Sequence, residues 1–268
     1  MLSKSLEQKY LERMENALRA ATPVVSEFVP STIHGKAKGG HNVATEIDRK
    51  ISDVLRRVLP EPGEGWLSEE DADDRARLYS KVVWVVDPVD GTREYMEGIP
   101  EWCISIGLVI EGIAVAGGVC NPLTGELFLG SLNSGVTYNG LPVQVGSRTS
   151  LDGAVILASR QEYIRGEWER FEGKQFSVKP TGSIAYKLAL VSSGLADATW
   201  TLSPKHEWDI AAGVALIDSS GGRVRCLHDT KLQFNKSETL RPGLLASNQG
   251  IWEHINQILD QIEPLPRS

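Results

Sequence analysis

Cysteine is scarce in this chain: Cys103, Cys120 and Cys226 are the only three in 268 residues, and they stand far apart. That spacing excludes a disulfide framework and a close-set thiolate metal site. Cys103 and Cys120 fall in apolar, strand-like runs and read as buried small hydrophobes. Histidine is also thin, and His34, His41, His206 and His228 show no spacing suited to zinc. No apolar run approaches the roughly 18 residues a membrane span requires, so no membrane partner is expected. The opening segment MLSKSLEQKYLERM is charged and lacks the apolar centre of a signal peptide, which makes a cytoplasmic location the expectation. Positive charge is in deficit, with 28 Lys and Arg against 35 Asp and Glu and a net charge of -7. A surface of that sign repels polyanions and argues against long nucleic acid. A small phosphorylated substrate stays open, because a bound divalent cation reverses the field locally.

What remains is an ordinary globular composition, 41% hydrophobic and 24% charged. Leu6, Tyr10, Leu11, Met14, Leu18 and Val25 recur at helical spacing, with Pro23 marking a kink or boundary late in that helix. The Gly/Lys-rich HGKAKGGH, 34–41, reads as a loop and contains Lys38. A second helix starts between Thr45 and Asp48, carries Ile47, Ile51, Val54, Leu55 and Val58 on one face, and stops at PEPG. KVVWVVDP, 81–88, reads as a buried strand, followed by a meander of antiparallel strands and a hairpin at Asn139-Gly140. Beyond about residue 148 the rhythm changes. Strand AVILAS, a helix-like stretch at 161–172, strand QFSVKP, helix SIAYKLALVSSG, strand LADATW and helix WDIAAGVALIDSSGG alternate, as in layered α/β packing. Two subdomains are expected: 1–147, α+β, and 148–268, α/β.

Three acidic segments carry the chemistry. In DPVDGT, a hydrophobic strand delivers Asp87, and Asp90 follows three residues later. Gly91 leaves room for an oxyanion, and the Gly91 and Thr92 amides can donate to it. LSEED supplies Glu69 and Glu70, and EWDIAAG puts Asp209 at a helix start. Each segment alone also reads as a turn, a solvated acidic run or a helix cap. Together they offer Glu69, Asp87, Asp90 and Asp209 as hard oxygen donors of the kind Mg²⁺ takes.

VATEID, LSEED, WVVDPVDGT, GLADA and EWDIAAG, in this order, resemble the inositol monophosphatase-like superfamily of lithium-sensitive metal-dependent phosphatases. The resemblance implies a layered αβαβα sandwich and magnesium as cofactor, two or three ions. Glu69, Asp87 and the Val89 carbonyl would hold one ion, and Asp87, Asp90 and Asp209 a second. A third would join through Glu69, with Glu70 behind. Thr92 would orient the attacking water against Asp48, and Lys38 would approach from its loop. Family members often dimerise, so a homodimer is expected.

Within the superfamily, DGTREY and SPKHEWDIAAG look most like bacterial 3'(2'),5'-bisphosphate nucleotidases, which remove the 3'-phosphate of adenosine 3',5'-bisphosphate by metal-activated water. Inositol monophosphatases carry a hydroxyl-binding glutamate seven residues before the last metal aspartate. Leu202 occupies that position and accepts no hydrogen bond. The nucleotidase reading is therefore the leading expectation; inositol monophosphatase, histidinol-phosphatase or a related sugar-phosphate phosphatase is the alternative. Gly182, Ser183, Arg160 and Lys205, with His206 beside it, are the further candidates for substrate contact.

Overall fold

The computed structural model describes residues 3–28, 40–171, 173–227 and 232–261. Lys38, His34 and His228 lie outside them. Two helices, α1 (Lys4–Phe28) and α2 (Gly40–Val58), form the first layer. Tyr10, Leu11, Met14, Leu18 and Val25 are buried as their spacing predicts, while Leu6 is left exposed at the first turn. Pro23 is carried inside α1 and does not end it.

Beneath them runs a seven-stranded sheet in sequential order: β1 (Gly65–Ser68), β2 (Val82–Asp90), β3 (Cys103–Ile110), β4 (Ile113–Asn121), β5 (Glu126–Ser131), β6 (Gly135–Tyr138) and β7 (Leu141–Val143). Only the β1–β2 pair is parallel. Period-two alternation sorts β2 between two cores. Trp84 and Val86 face α1 and α2. Val83 and Val85 face the middle layer, where Ile210, Ala211 and Val214 of α6 (Glu207–Ser219) pack beside Ile184 and Leu188 of α5 (Ile184–Ser192).

A second sheet follows in the order β12 (Arg223–Cys226), β14 (Leu244–Ser247), β10 (Ala198–Thr201), β8 (Val155–Ser159) and β9 (Ser177–Thr181). Its inner residues Leu157, Leu244 and Ala246 join the α5–α6 core. Its outer residues Ile156, Trp200 and Leu245 pack on Trp168, Phe171 and α7 (Trp252–Asp260). The layers therefore run α, β, α, β, α, the sandwich that was expected. A two-stranded ribbon of β11 (Lys205–His206) and β13 (Leu240–Arg241) lies just before α6. All three cysteines are buried, and no described helix is long and apolar enough to cross a membrane.

Three readings change. Helix α2 begins at Gly40, at the end of the stretch read as a loop, rather than between Thr45 and Asp48. The stretch 161–172 holds only the short α4 (Arg160–Ile164) and a 3-10 turn, Glu169–Phe171. Gly166, at φ 76°, separates them in the left-handed region that interrupts a helix. DPVD is not a turn after the strand but the end of β2 itself.

Candidate active site

That strand end explains how two aspartates three residues apart reach one place. In a regular strand, residues i and i+3 point to opposite faces. Asp87 pairs with Ser105 and Asp90 with Cys103, so three steps along β2 match two along β3. The extra residue is a bulge, and it returns Asp90 to the side of Asp87. Glu69 follows from β1: its amide donates to Val86 O at 3.3 Å, one residue before Asp87. Asp209 comes from the first turn of α6, where its Oδ2 accepts from His206 N at 2.8 Å. Helix-capping and site residue are thus one side chain, not alternatives.

Glu69, Asp87, Asp90 and Asp209 line a single cavity of about 230 Å³ between the two sheets, together with Val89, Gly91 and Thr92. Arg160, Gly182, Ser183 and Lys205 line it too. Asp48 is buried behind, close enough for its charge to act on Asp87. Burial, with the charges of Asp90, Glu69 and Asp209 adding, holds Asp87 well above the usual carboxylate range. Burial and then Asp90 raise Glu69 to about 6 and Asp209 to about 7. Asp48 rises to about 8 through burial, Glu70 and Glu69.

These carboxylates are anchored by the protein. Asp87 Oδ1 accepts from Val89 N at 3.0 Å. Asp90 Oδ2 accepts from Ser183 Oγ at 2.6 Å and Ala185 N at 2.7 Å. The Oδ1 atoms of Asp90 and Asp209 make no hydrogen bond among the described residues. Oriented carboxylates with oxygens to spare, each penalised by its neighbours' charge, fit a hard divalent cation. Among the described residues, though, no group of three or more His, Cys, Asp or Glu side chains has drawn in to ligating spacing.

Several substrate-contact expectations change. Thr92 Oγ1 donates to Val89 O at 3.1 Å, so its proton is not held by Asp48. Gly182 N donates to Glu101 Oε2 at 2.9 Å, and Arg160 is bonded to the same oxygen, with Glu94 3.8 Å away. Arg160 is thereby neutralised inside the protein rather than presented to an anion. His206 turns from the cavity: Nδ1 meets Thr239 Oγ1 at 2.8 Å and the ring stacks on Trp208 at 4.4 Å. Leu202 packs with the outer core of the second sheet and does not offer an apolar wall to a base.

Glu94, Lys187 and Thr181 also line the cavity and were missed, as was Glu101 behind Arg160. A single lysine in the otherwise apolar SIAYKLALVSSG was the signal available for Lys187. Ser183 sits at φ 51°, a strained value for a residue with a Cβ. Its hydroxyl accepts from Tyr186 N at 2.9 Å while donating to Asp90. Ser183→Ala is expected to cost about 1 kcal/mol of stability and about tenfold in activity, since both the cap and the anchor of Asp90 go. Thermal unfolding and steady-state rates check this; unchanged rates would remove the anchoring role.

The sequence profile of the Inositol monophosphatase family matches residues 6–263. The chain belongs to the inositol monophosphatase family. Inositol monophosphatase 3 of Solanum lycopersicum is 31% identical over 229 residues, 81% of this chain and 85% of its own. Fructose-1,6-bisphosphatase/inositol-1-monophosphatase of Thermotoga maritima is 28% identical over 235 residues, 85% of this chain and 88% of its own. Among solved structures, the inositol monophosphatase from Anabaena superposes with a TM-score of 0.78 at 27% identity, covering 96% of this chain and 98% of that one. Membership in the inositol monophosphatase family supports hydrolysis of a phosphate monoester as the general activity. It does not set a bisphosphate-nucleotidase branch apart from the rest of the family.

Proposed function

We propose that this protein is a magnesium-dependent phosphatase of small polyol or sugar phosphates, in the manner of its relatives named for inositol and fructose phosphates. The observation that carries the reading is the one cavity into which β1, the bulged end of β2 and the first turn of α6 deliver four carboxylates. Bound magnesium supplies Lewis-acid stabilisation of phosphoryl oxygens and activation of water. Glu69, Asp87 and Val89 O would hold one ion, and Asp87, Asp90 and Asp209 the other. The Gly91 and Thr92 amides orient the phosphoryl group, and the Thr92 hydroxyl, already in the cavity, orients water. Residues 1–147 then supply most ligands, and 148–268 contribute Asp209 and the opposite wall.

A nucleoside 3',5'-bisphosphate is the second reading, favoured by the two lysines, Lys187 and Lys205, on that wall. Phosphate release from inositol 1-phosphate, histidinol phosphate, fructose 1,6-bisphosphate and adenosine 3',5'-bisphosphate tests both. EDTA is expected to abolish turnover and magnesium to restore it. A tenfold or greater preference in kcat/KM for the nucleotide replaces the first reading with the second. No magnesium-dependent release from any of the four would overturn both.

A further inference from the structure

Glu69, Asp87 and Asp90 come from one half of the chain and Asp209 from the other, so their spacing depends on how the halves are locked together. One lock is a buried ionic chain outside the cavity. Arg77, in the 3-10 turn Ala76–Tyr79 between β1 and β2, is 2% exposed. Its stem lies against the strand that leads to Glu69: a Cβ added at Gly65 would meet Arg77 Cβ at 3.0 Å. Its guanidinium reaches in two directions. Nε and Nη2 donate to the two oxygens of Asp73 at 3.1 and 2.7 Å. Nη1 donates to Asn235 Oδ1 at 2.8 Å, and Nη2 also to Lys236 O at 2.9 Å. Asn235 Nδ2 returns a bond to Arg77 O at 3.1 Å.

The residues that Arg77 holds in turn grip α6. Asn235 N and Lys236 N donate to Glu207 Oε2 and Oε1 at 2.7 and 3.2 Å. Glu207, fully buried and paired with Arg241, opens α6 two positions before Asp209. Its own amide donates to Thr239 O at 3.0 Å. A continuous path thus runs from the β1–β2 connection, through 235–236, to the turn that carries Asp209. Asn235 sits at φ 56°, a left-handed value that Asn adopts more readily than most residues, with its side chain bonded to Arg77 and its amide to Glu207. Buried ion pairs of this kind often gain no stability over apolar side chains of the same volume. What the network fixes is placement. Arg13, on α1, is the contrasting case, since its pairs with Glu61 and Glu64 and its place over Trp84 tie α1 to the sheet.

We infer that Arg77 is a positioning residue for the carboxylate site: through Asn235, Lys236 and Glu207 it holds Asp209 in place opposite Glu69 and Asp87. This rests on the magnesium reading of the cavity and deepens it. A cation shared between the halves is bound only as tightly as their carboxylates are held ready for it, and outer partners do the holding.

The test uses two readouts that need no turnover: magnesium binding by calorimetry without substrate, and amide hydrogen exchange by NMR. In Arg77→Met, magnesium should bind at least about tenfold more weakly than in the wild type. The amides of His206, which donates to Asp209, and of Glu207 should exchange at least about tenfold faster relative to core amides of β3. Asn235→Gly keeps the left-handed backbone and removes only the side chain that Arg77 holds. It must shift both readouts the same way, and it decides the matter if Arg77→Met fails to fold. Arg13→Met should lower the melting temperature and leave both readouts unchanged. An equal weakening there overturns the inference, since loss of any buried ion pair would then suffice. Unchanged magnesium affinity or unchanged exchange in the folded Arg77 or Asn235 variant overturns it as well. If the wild type itself binds no magnesium, the metal reading fails and exchange alone decides: faster exchange at His206 keeps Arg77 as the residue that places Asp209, and unchanged exchange ends that role.

Discussion

Asp87→Asn is expected to lower kcat/KM by at least about a hundredfold with magnesium present, about 3 kcal/mol of transition-state stabilisation, without lowering the melting temperature. Asn keeps the shape of the side chain and can still accept the 3.0 Å bond from Val89 N. What it removes is a charge in a fully buried position among Asp90, Glu69, Asp209 and Asp48. Burial first, and then their repulsion, holds the Asp87 carboxyl protonated more readily than in an unfolded chain, so its ionised form opposes folding at neutral pH. The variant should be as stable as the wild type or more so. In the proposed site the same residue is shared by two cations, which makes the loss of rate large. Asp209→Asn should behave similarly, and the double variant should be little worse than either single one, because residues of one cation site act as a unit. Near-normal turnover, or a loss of rate tracking a fall in melting temperature, would take Asp87 out of this role.

The four carboxylates were legible because each sits where a local signal and a chemical need coincide. Asp87 ends an apolar β-branched run, Asp209 opens a helix, and Glu69 lies in an acidic patch just before the β2 run. The reason Asp90 joins them was not legible. A bulge depends on how β2 pairs with β3, and the pairing register is a property of two segments, not of DPVDGT alone. The latch of Arg160, Glu101 and Gly182 was hidden for the same reason. It links residues 59 and 81 positions apart. From Arg160 alone, a free phosphate donor was a fair reading, and only its carboxylate partners Glu101 and Glu94 correct it. Substrate class was the least legible part. The Leu202 argument rested on what that side chain would present to a ligand, whereas the structure packs it, half-buried, against the outer core of the second sheet.

A second large effect is expected far from the carboxylates, at Gly117. A Cβ added there would lie 2.2 Å from Ala212 O and 2.9 Å from Ala212 C, so α6 itself would have to move. Gly117→Ala is expected to cost about 3 kcal/mol by overpacking, and the melting temperature should drop by roughly 6–12 °C. Activity should fall beyond the share explained by unfolding, because the helix displaced is the one that carries Asp209 into the cavity. Gly107 offers an internal comparison. Its added Cβ would meet Ala211 Cβ at 2.7 Å and Ala212 N at 2.9 Å, so a side-chain atom is the nearest obstacle. Ala211→Gly should therefore recover part of the stability lost in Gly107→Ala, while no side-chain substitution should rescue Gly117→Ala, where the obstacle is a carbonyl. Thermal unfolding of the three variants, with rates measured below the lowest transition, checks both statements. If Gly117→Ala melts with the wild type and keeps its rate, α6 is not pressed against the sheet, and the placement of Asp209 opposite Asp87 loses its structural cause.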